Sequence, residues 1–319
     1  MKLIKKISTI FLAVLLMISM IGCATTNKEV NDSQNQAKTL NFGAIGSVEM
    51  IPIIIADVNG YFAKQGLEVN IQSFKSSKDR DAALQSGNLD GIICDEVAVT
   101  LYQNADFDVK ITGATDGNFT LIANPNSGIK TLDDIKGKSV AISEKTCIEY
   151  TLDKVLEKNA LAPQDVQKTV VPAIPTRLEM LRANKVDAAL LPEPFSTLAM
   201  KDGGIVLGSA NEAGIYTSVT AFTQESIDTK AAEIKAFFKA YNEAVDYVNS
   251  TSISEYEDVI IKTVGYPEDM KGKIELPKFR KNVLPAEADI QSVIDWATSS
   301  KLIKKDLNPK DLMSNIGIN

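Results

Sequence analysis

Short apolar stretches alternate with amphipathic ones along most of the chain. Strand-like runs such as "LNFGAI" at 40–45 and "LEVNIQSF" at 67–74 are each followed by residues with the apolar spacing of a helix. Strands that alternate with helices of this length need crossover connections, which predict largely parallel sheets. The same order restarts at "GKSVAIS", residues 137–143, so the pattern predicts an α/β fold.

The two halves of this pattern share one order of parts. The stretch from "QGLEVNIQSF" to "LDGIICDE" and the stretch from "NALAPQDVQKTVV" to "VDAALLPE" each contain a loop, a strand, a helix and a strand that opens with aspartate. Glu96 follows Asp90 by six residues, and Glu193 follows Asp187 in the same way. The match predicts two lobes that each present an acid at the carboxyl end of a strand, where open α/β sheets bind ligands. A general likeness between any two α/β units is the alternative interpretation.

The last third of the chain follows a helical pattern. The sequence "SIDTKAAEIKAFFKAYNEAVDYVN", residues 226–249, predicts one long amphipathic helix, and helical segments dominate from there to the end.

The first residues have the order of parts of a secretion signal. Three lysines precede an apolar run at 7–20 and the sequence "MIGC", which resembles a bacterial lipobox with Cys23 as the lipidated residue. A membrane span is an alternative, but the run is shorter than the roughly 20 residues that a spanning helix needs; a stray cysteine after an uncleaved helix is another. We expect residues 1–22 to be a lipoprotein signal peptide and residues 23–38 a lipidated tether. The protein would then be extracytoplasmic and anchored to the bacterial cell membrane.

Charge and composition exclude several classes of function. Loss of residues 1–22 would change the formal net charge from -7 to -10, which disfavours nucleic acid as a partner. The chain has no histidine, the commonest general base, and no phosphate loop or paired-cysteine metal motif. We therefore predict a binding protein and not an enzyme, with no catalytic residue, cofactor or metal. A carboxylate pair of the glycosidase kind is the alternative.

Polar residues that directly follow the predicted strands are the candidates for a ligand site between the lobes. Helix N-termini come next in most of these stretches, and Thr146, or Ser143 further back, is the expected N-cap of a helix that begins at Cys147. Cys94 and Cys147 are expected to be free thiols near the ligand. The predicted ligand-binding residues are Ser47, Glu49, Met50, Cys94, Asp95, Glu96, Thr115, Asn118, Ser143, Thr146, Cys147, Tyr150, Glu193 and Tyr216.

The charges in these stretches predict the kind of ligand. Acids predominate, and Lys145 is the only basic residue that is well placed, so a cationic or donor-rich ligand is expected. For Glu49 alone, a simple role at the start of a helix is the alternative, because the helix dipole favours acids there.

Several motifs together resemble one family. "GYFAKQGLEV" is similar to its G-x-F-x-x-x-G-L-x-V segment and "VDAALLPEPF" to its D-A-x-x-x-x-E-P segment. Over about residues 40–225 the chain resembles the solute-binding lipoproteins of ABC importers, in the subgroup that serves nitrate, sulfonates, taurine and thiamine pyrimidine precursors. The resemblance implies a two-lobed type 2 periplasmic-binding fold, with residues 39–118 plus 222–319 as lobe 1 and 119–221 as lobe 2.

The resemblance also implies how the protein works. A monomer would close its lobes on a small solute by a hinge motion and deliver the solute to an ABC permease with its ATPase. Because of the acids, a thiamine pyrimidine precursor or another amine-bearing heterocycle is the expected solute. A receptor for a sulfonate, taurine or a nitrate-like anion is the alternative. A pyrimidine-related enzyme of the same superfamily and a sensory lipoprotein are alternatives of other classes.

Overall fold

The computed structural model describes residues 38–318. The predicted signal peptide, Cys23 and the tether up to residue 37 lie outside the described residues. Within the described range, no helix has both the length and the apolar character needed to cross a bilayer.

Ten strands form two sheets in this part of the chain. The first sheet contains β1 (Lys38–Ile45), β2 (Leu67–Phe74), β3 (Gly91–Asp95), β4 (Val109–Ala114) and β10 (Ser218–Thr223), in the spatial order β2-β1-β3-β10-β4. The second contains β5 (Phe119–Ala123), β6 (Ser139–Ile142), β7 (Gln167–Val170), β8 (Ala188–Pro192) and β9 (Ile205–Ser209), in the order β7-β6-β8-β5-β9. The α/β two-lobed fold predicted from the sequence is confirmed.

Helices cover both sheets. Their bounds are α1 (Ile51–Val58), α2 (Tyr61–Lys64), α3 (Ser77–Gln85), α4 (Glu96–Asn104), α5 (Cys147–Lys158), α6 (Ile174–Arg182), α7 (Phe195–Lys201), α8 (Gln224–Thr229), α9 (Ala231–Ser250), α10 (Glu257–Val264) and α11 (Glu287–Ser299). The central strands β3 and β8 are buried at every residue, and both read as continuous apolar runs, as expected for strands covered on two faces. The edge strand β2 begins with alternating buried and exposed residues, because one face of it meets solvent.

Strand direction follows from how the chain passes between the lobes. In each sheet of the described range, four strands run in one direction and one strand runs against them. The opposed strands are β5 and β10, the first strands after each crossing. A strand that enters its sheet from the edge facing the other lobe must run against those that end at that edge. The prediction of mostly parallel sheets therefore holds, with this one exception in each.

Two crossings join the lobes, at residues 115–118 and 210–217. They run side by side where the Thr115 N–H donates to the Ser218 carbonyl at 2.9 Å. A Cβ added to Gly117 would lie 2.3 Å from Ser218 Oγ and 2.6 Å from Glu49 Oε1, so this contact leaves no room for a side chain. The expected lobe boundary at 221/222 falls inside β10, and we propose 217/218 in its place.

The prediction of one unbroken helix over 226–249 is wrong. The segment forms two helices, α8 and α9, which are separated at Lys230, whose φ of -125° and ψ of 32° are not helical. The Lys230 ammonium instead donates to Asp90 Oδ2 at 2.8 Å and ties the break to the first sheet. Here a tertiary ion pair overrides a helical sequence pattern.

The lobes contact each other at three places. At the first, Tyr150 of α5 shares a hydrogen bond of 2.8 Å with Ser292 of α11, and Trp296 Nε1 donates to Asp153 Oδ2 at 3.0 Å. At the second, the Ile174 N–H donates to the Lys75 carbonyl at 3.2 Å. At the third, Lys201 of α7 forms an ion pair with Asp269. These contacts hold the two lobes together around the space between their sheets.

Candidate ligand-binding site

A cavity of about 50 Å³ lies between the carboxyl ends of the two sheets. Seven of the residues predicted to bind the ligand line it, namely Ser47, Glu49, Cys94, Asp95, Ser143, Thr146 and Cys147. Its other polar side chains are Ser77, Arg80, Arg177 and Ser218. The cavity therefore brings together groups from both lobes.

The ends of the strands and the starts of the next helices position these groups. Asp95 ends β3 and caps α4, where its Oδ1 accepts from the Ala98 N–H at 2.9 Å. Thr146 caps α5 by accepting from the Ile148 N–H at 3.2 Å, which confirms the predicted N-cap. Both caps leave free backbone N–H groups of a helix N-terminus next to the cavity.

Glu49 is a buried acid that is held by hydroxyl groups. Ser47 Oγ donates to its Oε2 at 3.1 Å and Thr115 Oγ1 to its Oε1 at 2.9 Å, while the Ser218 hydroxyl also bonds its carboxyl. Burial raises the pKa of Glu49 against the effect of these three hydroxyls. Its partners come from the end of β1, from the first crossing and from the start of β10.

Arg80 of α3 is buried with acids around it. Its Nε and Nη2 donate to Asp81 Oδ1 at 2.8 and 2.7 Å, and its Nη1 donates to the Ile93 carbonyl at 3.0 Å. Burial opposes the charged form, but the carboxylates, Asp81 first, outweigh it and raise the pKa of the guanidinium. Asp95 is close enough that the Arg80 charge lowers its pKa, although burial raises it overall.

Arg177 of α6 occupies the matching position in the second lobe without an acid partner. It is 1 % exposed, and its donors go to backbone carbonyls: Nε to Val171 at 3.1 Å, Nη1 to Leu190 at 2.8 Å and Nη2 to Pro172 at 3.4 Å. Burial lowers the pKa of Arg177 to about 10. A guanidinium has five N–H groups, so two remain free to meet a ligand in the cavity.

The expectation that no arginine is well placed is therefore wrong. Both arginines lie on helices and not directly after strands, so a search of strand ends missed them. The internal match carried the signal, because Arg80 and Arg177 stand at the same distance before Asp90 and Asp187. Each arginine also donates to a carbonyl of the following strand thirteen residues on.

The two thiols in the cavity are free and buried. Burial raises the pKa of Cys94 well above its usual value. Burial, followed by the charges of Asp95 and Glu49, does the same for Cys147. A protonated thiol is a poor nucleophile, so both cysteines act as neutral wall groups.

The other predicted residues lie elsewhere. Met50 is 3 % exposed and packs in the first lobe's core, and Thr115 reaches the cavity only through Glu49. The Asn118 side chain accepts from the Asn211 N–H, and Glu193 accepts from the Thr197 N–H at the start of α7. Glu96, Tyr150 and Tyr216 line a second cavity, which shares no lining residue with the first.

The arrangement suits capture of a small polar molecule. The cavity presents one unpaired cation on the second lobe, with acids and hydroxyls on the first. Within residues 38–318, no group of three or more acids or cysteines could hold a metal ion. The geometry is that of a binding site with an unpaired guanidinium on one wall and carboxyl groups on the other.

Comparison with known proteins agrees with this fold. The chain is 25% identical over 333 residues to a Bacillus subtilis protein named as aliphatic sulfonates-binding, covering 98% of this chain and 95% of that protein. It is 24% identical over 261 residues to a Brachyspira hyodysenteriae protein named as an ABC transporter periplasmic binding protein, covering 76% and 73% of the two chains. The crystal structure of the periplasmic aliphatic sulphonate binding protein from Escherichia coli superimposes with a TM-score of 0.74 at 19% identity, covering 88% of this chain and 92% of that one.

A family model extends over most of the chain. The model described as NMT1/THI5 like matches residues 47–251, which include both crossings and every polar residue of the cavity described above. This span takes in β2 to β10 and the helices that carry Arg80 and Arg177. The protein is thus a member of the NMT1/THI5-like family.

Proposed function

We propose that this protein is the extracytoplasmic solute-binding component of an ABC importer, and that it captures a small sulfonate between its lobes. The observation that carries the choice of ligand is Arg177, a buried guanidinium with no acid partner. An uncompensated buried charge is costly, and an anionic ligand would remove that cost. A planar guanidinium also matches the paired oxygens of an oxyanion.

The relatives support the same class. The Bacillus and Escherichia proteins are named for binding aliphatic sulfonates, and the Brachyspira protein is named as part of an ABC transporter. A permease and its ATPase are accordingly the proposed partners. The lipid on Cys23 and the monomeric state remain part of this proposal.

The acids on the first lobe narrow the choice of solute further. Glu49 and Asp95 lie across the same cavity from Arg177, so a sulfonate that carries an amino group could match both walls. A zwitterion such as taurine carries both groups: an amino group, which suits the acids, and a sulfonate group, which suits Arg177. A thiamine pyrimidine precursor would leave Arg177 without a counter-charge, and we therefore favour it less.

A receptor fits the chemistry of the site better than an enzyme. Both thiols have raised pKa values, and the acids that line the cavity, Glu49 and Asp95, are held in hydrogen bonds. The site can bind and enclose a solute, but the described residues supply no activated nucleophile.

The test is ligand-dependent stability in the wild-type protein and in Arg177→Met. Taurine, ethanesulfonate, nitrate and an aminopyrimidine are compared by thermal shift and calorimetry. A solute at a hundredfold excess over Kd should stabilise the wild type by about 2.7 kcal/mol. Taurine or ethanesulfonate should do so, and Arg177→Met should abolish the effect.

Arg182→Met is the matched control. It lies on the same helix but is half-exposed and paired with Glu179 and Asp202, so it should bind as the wild type does. Stabilisation by the aminopyrimidine alone would contradict the anion proposal. Recovery of chemically changed solute would contradict the receptor class.

A further inference from the structure

A second cavity, of about 430 Å³, lies beside the contact between α5 and α11. Its volume falls in the range of about 300–1,000 Å³ that is usual for small-molecule sites. It is lined by both lobes, with Glu96, Asp289 and Ser292 from the first and Tyr150 from the second. Any molecule held there would contact both halves of the protein.

Two buried polar groups at this cavity have no partner. Glu96 is completely buried, and neither of its carboxyl oxygens has a hydrogen-bond partner within the described chain. The neighbouring Thr217 hydroxyl is buried without a partner as well, and the Glu96 N–H donates to the Thr217 carbonyl at 2.9 Å. Because unsatisfied buried polar groups cost free energy, groups of this kind mark a place where a ligand can supply the missing bonds.

The three other charged side chains that line the cavity already have partners. Lys154 is paired with Glu157 at 2.9 Å, and the Lys158 ammonium donates to the Ala213 carbonyl at 3.1 Å. Asp289 is half-buried and, like Glu96, has no ion-pair partner in the described range. Glu96 and Asp289 line the same cavity. Burial, and then the charge of Asp289, raise the pKa of Glu96 to about 9.

We propose that this second cavity binds a small organic cation, through a primary ammonium group held between Glu96 and Asp289. The ammonium replaces the proton that Glu96 otherwise keeps, and that proton passes to solvent. Its three N–H donors match the carboxyl groups of Glu96 and Asp289 and the Thr217 hydroxyl. Tyr216, whose side chain is 48 % exposed at the cavity, offers a ring face for the cation. Two carboxyl groups are too few for Ca²⁺, which takes about six to eight oxygens.

The chain contains its own reporter for this site. Trp296 is the single tryptophan of the sequence, and its ring lies 5.5 Å from that of Tyr150, which lines the cavity. The experiment is titration of the purified protein with butylammonium chloride, followed by tryptophan fluorescence and melting temperature. Butanol serves as the neutral isostere. The variants are Glu96→Gln, which keeps the shape, and Glu49→Gln, which alters the first cavity and leaves the lining of the second unchanged.

The expected result is a saturable response to butylammonium and none to butanol. Glu96→Gln should weaken the apparent affinity by about tenfold or more, because a charge-assisted bond is lost. Glu49→Gln and Arg177→Met should respond as the wild type does, so this result is independent of sulfonate binding. The proposal is overturned if the wild type gives no saturable response. It is also overturned if Glu96→Gln binds equally well, or if the response is lost in Glu49→Gln and kept in Glu96→Gln.

Discussion

Each lobe has a buried arginine at the equivalent position of the repeat, but the two arginines differ in how their charges are balanced. Arg80 and Arg177 each donate to a carbonyl of the next strand at about the same distance, 3.0 and 2.8 Å. Arg80 is neutralised by Asp81, with Asp95 nearby, whereas Arg177 contacts carbonyl groups alone. The Arg80 charge is thus balanced without a ligand, and the Arg177 charge is not.

The acids of the repeat differ in the same manner. Glu193 is half-buried and bonds to the Thr197 N–H, whereas Glu96 is fully buried without a partner. The same plan therefore gives a hydrogen-bonded acid at one position and a buried acid without a partner at the other. The groups without a charged partner, Arg177 and Glu96, therefore indicate where ligands bind better than the repeat itself does.

The largest expected effect is the loss of stability in Arg80→Met. Removal of the cation leaves Asp81 and buried Asp95 unpaired, which should lower the free energy of unfolding by about 3–5 kcal/mol. Arg177→Met should cost only about 1–2 kcal/mol, because carbonyl acceptors and no charges lose a partner. Urea denaturation of both variants without ligand measures the contrast, and equal losses would remove the distinction between the two arginines.

Sulfonate affinity should show the reverse order. In Arg177→Met we expect a loss of about 100-fold or more, since two charge-assisted hydrogen bonds contribute about 3 kcal/mol together. Calorimetry with taurine or ethanesulfonate measures it. Arg177→Lys should recover part of the affinity, because the charge stays while the paired donors are lost. Unchanged binding in Arg177→Met would show that the anion is held elsewhere.

The pH dependence of the free energy of unfolding tests whether Glu96 is buried and protonated in the folded protein. Because the pKa of Glu96 is raised from its usual 4.5 to about 9, the folded state binds this proton more tightly than the unfolded state. The contribution to stability is complete below pH 4.5 and is lost as pH rises through 9. Between pH 7 and 9 the wild type should lose about 2 kcal/mol more than Glu96→Gln.

Glu193→Gln is the control for this measurement. Because the Glu193 carboxyl is half-buried and already bonded, this variant should keep the wild-type pH dependence of unfolding. A flat wild-type profile over the same range would contradict the assignment of a buried, protonated Glu96.

The smallest effect is expected from Cys147→Ser. The thiol is neutral and packs beside Asp95, so the substitution should change ligand affinity by about threefold or less and leave the melting temperature nearly unchanged. Cys94→Ser is the comparison on the opposite wall. Unfolding of Cys147→Ser would show that this residue belongs to the core and not to the site.

The sequence contained most of the fold and half of the site. Alternating strands and helices predicted the two lobes, and the strand ends predicted Ser47, Glu49, Asp95 and Cys147, which line the cavity. The prediction was based on residues that directly follow strands, so it did not include Arg177, which lies on a helix between two strands. The repeat nevertheless aligns Arg177 with Arg80.

Other features could not be read from local sequence. The burial of Glu96 depends on α11, almost 200 residues later in the chain, and the break at Lys230 depends on Asp90 of the first sheet. The backward run of β5 and β10 depends on the place where the chain enters each sheet. In all three cases a contact between distant segments decides the outcome.

The carboxyl group of Glu49 also links the two segments that join the lobes. It accepts a bond from Thr115 of one crossing and from Ser218, the first residue after the other, at the place where Gly117 leaves no spare room. If the two crossings twist as the lobes separate, they must loosen their hold on this acid in the same motion. A solute bound at Glu49 would then lose this contact in the same motion that separates the lobes. Release of the solute would need no further conformational change.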